Sequence, residues 1–243
     1  MSLAQYMAVA TIVFSAAIIQ ALFGFGFGLI SVPIMIFFVD LPTAVVTATA
    51  VSTVSCSLQW YESREVSARE VSRRLIASAL IGMPFGLWLL NNMDARLMKA
   101  LLGVLVLVGV FLSSREFDLR RLPLAFDYAM GIVAGVLSTS TSTNGPPLVF
   151  LLHARHYSPE RFRAVLNRVF TVLNLLTLIT FAFAGKITVE ILWLALLAIP
   201  VMGVGVWLGI RLRNRIDPDH FRKLVLLLLF ATGLSAIGNA IFS

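Results

Sequence analysis

The sequence predicts an all-α integral membrane protein, and three observations carry that reading. Of its 243 residues, 59% are apolar and only 13% are charged, whereas soluble domains hold about 45–50% apolar and about 25% charged residues. The apolar residues gather into runs long enough to cross a bilayer, which takes about 20 residues of helix. The basic residues sit in the gaps between those runs, so the formal net charge of +7 reads as membrane topology and not as a nucleic-acid surface. A water-soluble globule, a disordered chain and a disulfide scaffold are excluded together. The single cysteine, Cys56, has no partner for an internal disulfide.

Six runs fit single spans: Thr43–Trp60, Leu75–Leu90, Leu97–Leu112, Ala164–Ala184, Val189–Ile210 and Phe221–Phe242. Two longer apolar regions, Gln5–Val39 and Leu124–His153, do not. As straight helices they would measure about 50 and about 45 Å, against a hydrocarbon core of about 30 Å. Both are interrupted. The first carries Gly24, Gly26 and Gly28, then Ser31 and Pro33. The second carries the polar run Ser138–Thr143, then Asn144, Gly145, Pro146 and Pro147. Glycine and proline punctuate helices, and unwound backbone at membrane depth needs protein or water around it. Each break is followed by a short apolar stretch, Pro33–Val39 or Pro147–Leu152, that covers less than half the membrane. No lysine or arginine precedes Arg64, so the opening lacks the basic region of a signal peptide and is expected to stay in the mature protein.

Sixteen of the nineteen basic residues fall in four gaps, Tyr61–Arg74, Ser113–Pro123, His153–Arg168 and Arg211–Lys223. Basic gaps favour the cytoplasm. With all four inside, the second broken region begins and ends inside, as a re-entrant hairpin or two short crossings. The first broken region ends outside; as a hairpin it also starts there and puts the N-terminus outside. The chain then reads as two inverted repeats, 1–112 and 113–243, within one membrane domain. Each is a broken or re-entrant helical hairpin plus three transmembrane helices. Leu41–Pro42, Ser158–Pro159 and Asp217–Pro218 place proline at the starts of following helices, where its missing N–H has no intrahelical use. Paired broken helices in inverted halves are the layout of many secondary transporters.

The breaks are the candidate site. A helix N-terminus carries unpaired N–H groups and about half a positive charge, and binds anions without any charged side chain. Gly24, Gly26, Gly28, Ser31 and Pro33 supply the first break. Ser140, Thr141, Ser142, Thr143, Asn144, Gly145 and Pro146 supply the second, with Ser31 and Asn144 as caps or direct ligands. Thr49, Ser52, Thr53, Cys56 and Gln59 share one helix face, as do Asn167, Thr171 and Asn174. Ser52, Cys56, Asn167 and Asn174 join the candidate site from these stripes. The alternative role for the stripes is interhelical hydrogen bonding, worth about 0.6 kcal/mol each. Two opposed N-termini with hydroxyls favour a small oxyanion over a cation, which unwound carbonyls would bind instead. All carboxylates lie in gaps or near segment ends, which speaks against a proton relay or cation pump.

Catalytic, cofactor and metal sites are not expected. His153 and His156 have only Glu160 as a third candidate ligand, and there is no Walker-type phosphate loop. Arg168, slightly inside its helix, reads as snorkelling to the interface, or as a guide for an anion.

The opening FGFGFGLISVPIMIFF, the matching MGIVAGVLSTSTSTNGPPLVFLL and the two-half layout resemble the sulfite exporter TauE/SafE family, also called the toluenesulfonate uptake permease family. The resemblance covers nearly the whole chain through loose, glycine-based motifs. These fall on Gly24, Gly26, Gly28 and Pro33, and on Gly131, Gly135, Gly145, Pro146 and Pro147; the Ser/Thr-rich Ser138–Thr143 departs from a plain glycine run. The resemblance implies a multi-pass transporter, not an enzyme, in a bacterial inner membrane. Its implied partners are the lipid bilayer and a small anionic substrate, sulfite or an organosulfonate, moved by export. Import of a sulfur compound or another small anion is the alternative. A membrane-embedded sulfur or redox enzyme using Cys56 is the reading from a different class.

Overall fold

The computed structural model describes residues 3–64, 69–94 and 123–212, with scattered positions from 96 to 111 and from 227 to 237. The described residues contain no strand. Among them eight helices are bounded: α1 Leu3–Phe23, α2 Phe27–Met35, α3 Leu41–Glu62, α4 Arg69–Asn92, α5 Ala125–Thr141, α6 Gly145–Ala154, α7 Pro159–Phe183 and α8 Val189–Leu212. Four of the expected spans appear as α3, α4, α7 and α8. α4 and α7 run more than a turn beyond their apolar stretches at their arginine-bearing ends. Asp40 and Ser158 cap α3 and α7, each accepting from a backbone N–H three residues on, with proline opening both helices. The expected spans Leu97–Leu112 and Phe221–Phe242 lie outside the described residues apart from scattered positions, as do the basic gaps 113–122 and 213–223.

The first broken region departs from expectation. α1 is unbroken for 21 residues, and its stretch Ala4–Phe23 is long and apolar enough to cross a membrane by itself, as are α3, α4, α7 and α8. Only 24–26 are unwound before α2. Gly24 and Gly26 sit at φ 84° and 103°, a left-handed conformation that glycine adopts at little cost. Ser31 and Pro33, expected ahead of the half-helix, lie inside it. The second break is nearer to expectation: α5 ends at Thr141, and 142–144 are unwound. Pro146 and Pro147 fall in the first turn of α6, where proline is tolerated.

Both broken regions return to where they began. Gln5 Nε2, near the start of α1, donates to the Phe38 carbonyl just past α2 at 2.7 Å. Arg155, just past α6, pairs with Asp127 in the first turn of α5 at 2.6 Å. Phe38 leads directly into α3, whereas Asp127 also pairs with Arg74 of α4 at 3.5 Å, beyond the far end of α3. The mouths of the two hairpins therefore lie at opposite ends of α3, and their tips come together between.

Packing repeats between the halves. α1 lies along α8, α5 lies along α4, and α3 crosses α7. Small residues at four-residue spacing set both close pairs. A Cβ at Gly131 or Gly135 of α5 would overlap Ser78 Oγ or the Ala79 carbonyl of α4, and one at Gly82 or Gly86 would overlap the Ile132 or Val136 carbonyl of α5. Gly205 and Gly209 of α8 sit likewise against Ala17 and Ala21 of α1. Two separate apolar clusters result. One is built from α1, α2, the start of α3 and α8, the other from the start of α4 with α5, α6 and α7. The outer faces expose Phe85 and Trp88 on α4, and Trp193, Leu196, Leu197 and Trp207 on α8. Apolar surface on this scale is stable against lipid and not against water.

Two substitutions test this packing by thermal unfolding in detergent. Gly135→Ala is expected to destabilise by about 1–3 kcal/mol through overpacking, whereas Gly203→Ala, with open space around it, is expected to cause no loss. Asp127→Asn leaves Arg74 and Arg155 without their buried counter-charge and is expected to cost about 3–5 kcal/mol. An equal response to the exposed Glu70→Gln would contradict that role.

Candidate functional site at the two helix breaks

The tips of the two hairpins touch. A Cβ at Gly28, in the first turn of α2, would overlap the carbonyl oxygen of Ser142, and one at Gly145 would contact Phe25. The starts of α2 and α6 are thus neighbours, and the two half-helices run apart from that point toward their separate mouths. Ser142 is held at φ 56°, and its N–H and that of Thr143 both donate to the Leu137 carbonyl. These bonds turn the chain off the axis of α5. Behind Gly24, the Cα and side chain of Arg163 of α7 close the other side of the first tip.

The two starts are not equivalent donors. The leading positions of α2 are Gly26, Phe27, Gly28 and Leu29; Ile30 is the first whose N–H finds the helix, at the Gly26 carbonyl, and no side chain caps the end. All four leading residues carry an N–H. At α6 the leading positions run from Asn144 to Pro147, and two are prolines without one. The side chains of the second break are bonded within the protein: the Asn144 amide belongs to the surrounding seam, and the Thr143 and Thr141 hydroxyls lie 2.6 Å apart.

A buried polar seam surrounds the tips, between the two apolar clusters. Asn144 Nδ2 donates to Ser138 Oγ (3.2 Å) and to Asn174 Oδ1 on α7 (3.3 Å). Asn174 Nδ2 in turn donates to Ser52 Oγ on α3 (3.1 Å). Ser138 meets Thr177 at 2.9 Å, and Thr49 Oγ1 lies 2.9 Å from Ser142 Oγ. Past Ser52 the seam continues to Cys56 Sγ, which accepts from Gln20 Nε2 of α1 at 3.0 Å, and Ser55 donates to Gln20 Oε1 at 2.6 Å. Asn144, Asn174, Ser52 and Cys56 are all buried. Among the described residues no carboxylate enters this network, and the polar neighbours of Cys56 are a hydroxyl and an amide.

Of the residues singled out in sequence, Gly24, Gly26, Gly28, Ser142, Thr143, Asn144, Gly145, Asn174, Ser52 and Cys56 converge on the tips and seam. Ser31 does not act as a cap: its hydroxyl donates to the Phe27 carbonyl of its own helix at 2.7 Å, the back-bonding open to a serine inside a helix. Ser140 does the same with Val136 at 2.8 Å, and Thr141 with Leu137 at 3.2 Å. Pro33 and Pro146 shape their helices. Asn167 is buried, with an Oδ1 that has no hydrogen-bond partner. Gln20 and Ser55 escaped the sequence reading; a lone amide within an apolar run was the available signal for Gln20, since such a group needs a partner at membrane depth.

Unwound helices that meet in a buried polar seam, inside a bundle of membrane-crossing helices, define a membrane transporter. The chain belongs to the family described as Sulfite exporter TauE/SafE, which matches residues 9–236, as the glycine motifs implied. It is 27% identical over 236 residues to "Probable sulfite/organosulfonate exporter TauE" of Cupriavidus necator, over 91% of this chain and 90% of that protein. It is 33% identical over 177 residues to "Probable inner membrane transporter protein TsaS" of Comamonas testosteroni, over 69% of this chain and 73% of that protein. No solved structure matches the chain. Family membership makes it a transporter and not an enzyme.

The tip contact is open to test by thermal unfolding. Gly28→Ala is expected to destabilise by about 1–3 kcal/mol through overpacking, and Gly26→Ala by about 1–2 kcal/mol through its left-handed backbone. Ser142→Gly is not expected to rescue Gly28→Ala, because the overlap is with the carbonyl oxygen. Rescue would show that the contact is made by the side chain.

Proposed function

We propose that the chain exports a small sulfur-containing oxyanion, sulfite or an organosulfonate, across a bacterial inner membrane, and binds it where the two half-helices begin. The observation that carries this reading is the meeting of those two starts inside a buried seam of amides and hydroxyls that holds no carboxylate among the described residues. The N–H groups leading α2 are donors, as an anion requires, and the Asn144 amide, whose Nδ2 already donates to Ser138 and Asn174, holds the second tip. The glycines at 24, 26 and 28 keep side chains away from the approach. The names carried by the relatives from Cupriavidus necator and Comamonas testosteroni support both the substrate class and the membrane.

Orientation follows from charge. The arginine-bearing end, with the mouth of the second hairpin, faces the cytoplasm by the positive-inside rule; the mouth of the first hairpin and the N-terminus face outward. The chain is then two inverted repeats, 1–112 and 113–243, each a hairpin with three crossing helices. Repeats of this kind expose a shared central site to one side and then the other by rocking. Outward movement needs no coupling ion, because an inside-negative potential of 100 mV drives each negative charge out by about 2.3 kcal/mol.

Purified protein in liposomes is expected to carry labelled sulfite or a sulfonate faster when the substrate side is held negative. Asn144→Leu removes the amide that ties the second tip to Ser138 and Asn174 and is expected to lower that flux by about tenfold, while Lys186→Ala leaves it unchanged. Flux equal to that of empty liposomes across a panel of sulfur oxyanions would refute the reading, and flux driven only by an inward gradient of a coupling ion would reverse its direction.

A further inference from the structure

We propose a second oxyanion site, an arginine-lined vestibule at the far end of α3, that captures the anion before it reaches the breaks; the capture role rests on the transport reading above. A cavity of about 630 Å³ lies between the end of α3, the start of α4 and the first half of α7. Arg64, Arg69, Arg73 and Arg168 line it together with Trp60 and Tyr61, and among the described residues no acidic side chain is in its walls. Among the described residues none of these four arginines forms an ion pair. Their neighbour Arg74 is different, meeting both Glu70 and Asp127. Four like charges around one cavity repel, and an anion in the middle relieves all of them at once.

Arg168 marks where that anion sits. Its guanidinium lies over the Trp60 ring, 5.6 Å from the centroid, as Arg64 lies over Tyr61 at 4.5 Å. A ring face orients a guanidinium but accepts no conventional hydrogen bond from its edge. Nη1 of Arg168 is buried and has no hydrogen-bond partner, a costly state for a charged donor and one that calls for a ligand. A guanidinium fork matches two oxygens of a sulfite, sulfonate or phosphate group. The class is therefore an oxyanion head, free in solution or carried by an anionic lipid. The vestibule and the seam share a helix: Val172 lies in the vestibule wall, and Asn174 of the seam is six residues beyond Arg168, about 9 Å along the helix.

Trp60 is a built-in reporter. With Trp88, Trp193 and Trp207 replaced by Phe, it is the sole tryptophan of the four. In nanodiscs of neutral phosphatidylcholine, sulfite and methanesulfonate are expected to change Trp60 fluorescence saturably. Arg168→Gln and Arg69→Gln are each expected to raise the half-saturation concentration tenfold or more, with Lys186→Ala unchanged. The exposed Arg69 keeps the test valid should Arg168→Gln unfold, which a thermal melt reveals. Discs containing phosphatidylglycerol separate the sources. An Arg168-dependent change there without added anion assigns the site to a lipid phosphate; added sulfite competing with that change assigns it to the soluble ion as well. The site is overturned when neither disc gives a signal, or when the signal ignores both arginine substitutions. Absent flux with an intact Trp60 titration would sink the transport reading and leave the site standing; normal flux with no titration would do the reverse.

Discussion

Unwound backbone cannot face lipid, because no water is present there to take up its polar groups. The rest of the structure depends on how this chain meets that constraint: each broken hairpin is walled by the other. The Ser142 carbonyl lies over Gly28, at a point where only glycine leaves room. The long close contacts of α4 with α5 and of α1 with α8 hold the hairpins at the depth where this contact forms. The amides of Asn144 and Asn174 then tie the second tip to α7 and α3. The groups freed by unwinding are thus enclosed by protein and not by lipid.

Much of the architecture was legible because hydropathy and charge dominate a membrane chain. α3 and α8 follow their apolar runs closely, and the face shared by Ser52 and Cys56 follows from helical spacing alone. What was not legible depends on partners distant in sequence. Gly28 looks like Gly24 and Gly26, yet those two unwind the chain at positive φ while Gly28 is helical and small for the sake of a carbonyl in the other half. Ser31 has the residue type of a cap and instead bonds its own helix, a choice fixed by where the turn ends. The bond between Asn174 and Ser52 spans 122 residues, beyond any local pattern. Asp127 reads as one more acid near a segment end, and its burial between two arginines depends on α4 and α6 arriving beside it.

The two tips differ in chemistry. At the first tip the backbone itself is the donor, and glycine keeps it bare. At the second, Pro146 and Pro147 remove two donors, and the side chains of Thr141, Thr143 and Asn144 are bonded within the protein.

The hairpin mouths differ in the same spirit. At one, the neutral Gln5 amide donates to a carbonyl; at the other, a buried carboxylate is gripped between two guanidiniums. A neutral clasp is loosened by thermal motion at modest cost, while separating buried ions demands several times more. Parting the first mouth at this bond costs one neutral hydrogen bond, whereas parting the second strands charge in an apolar interior.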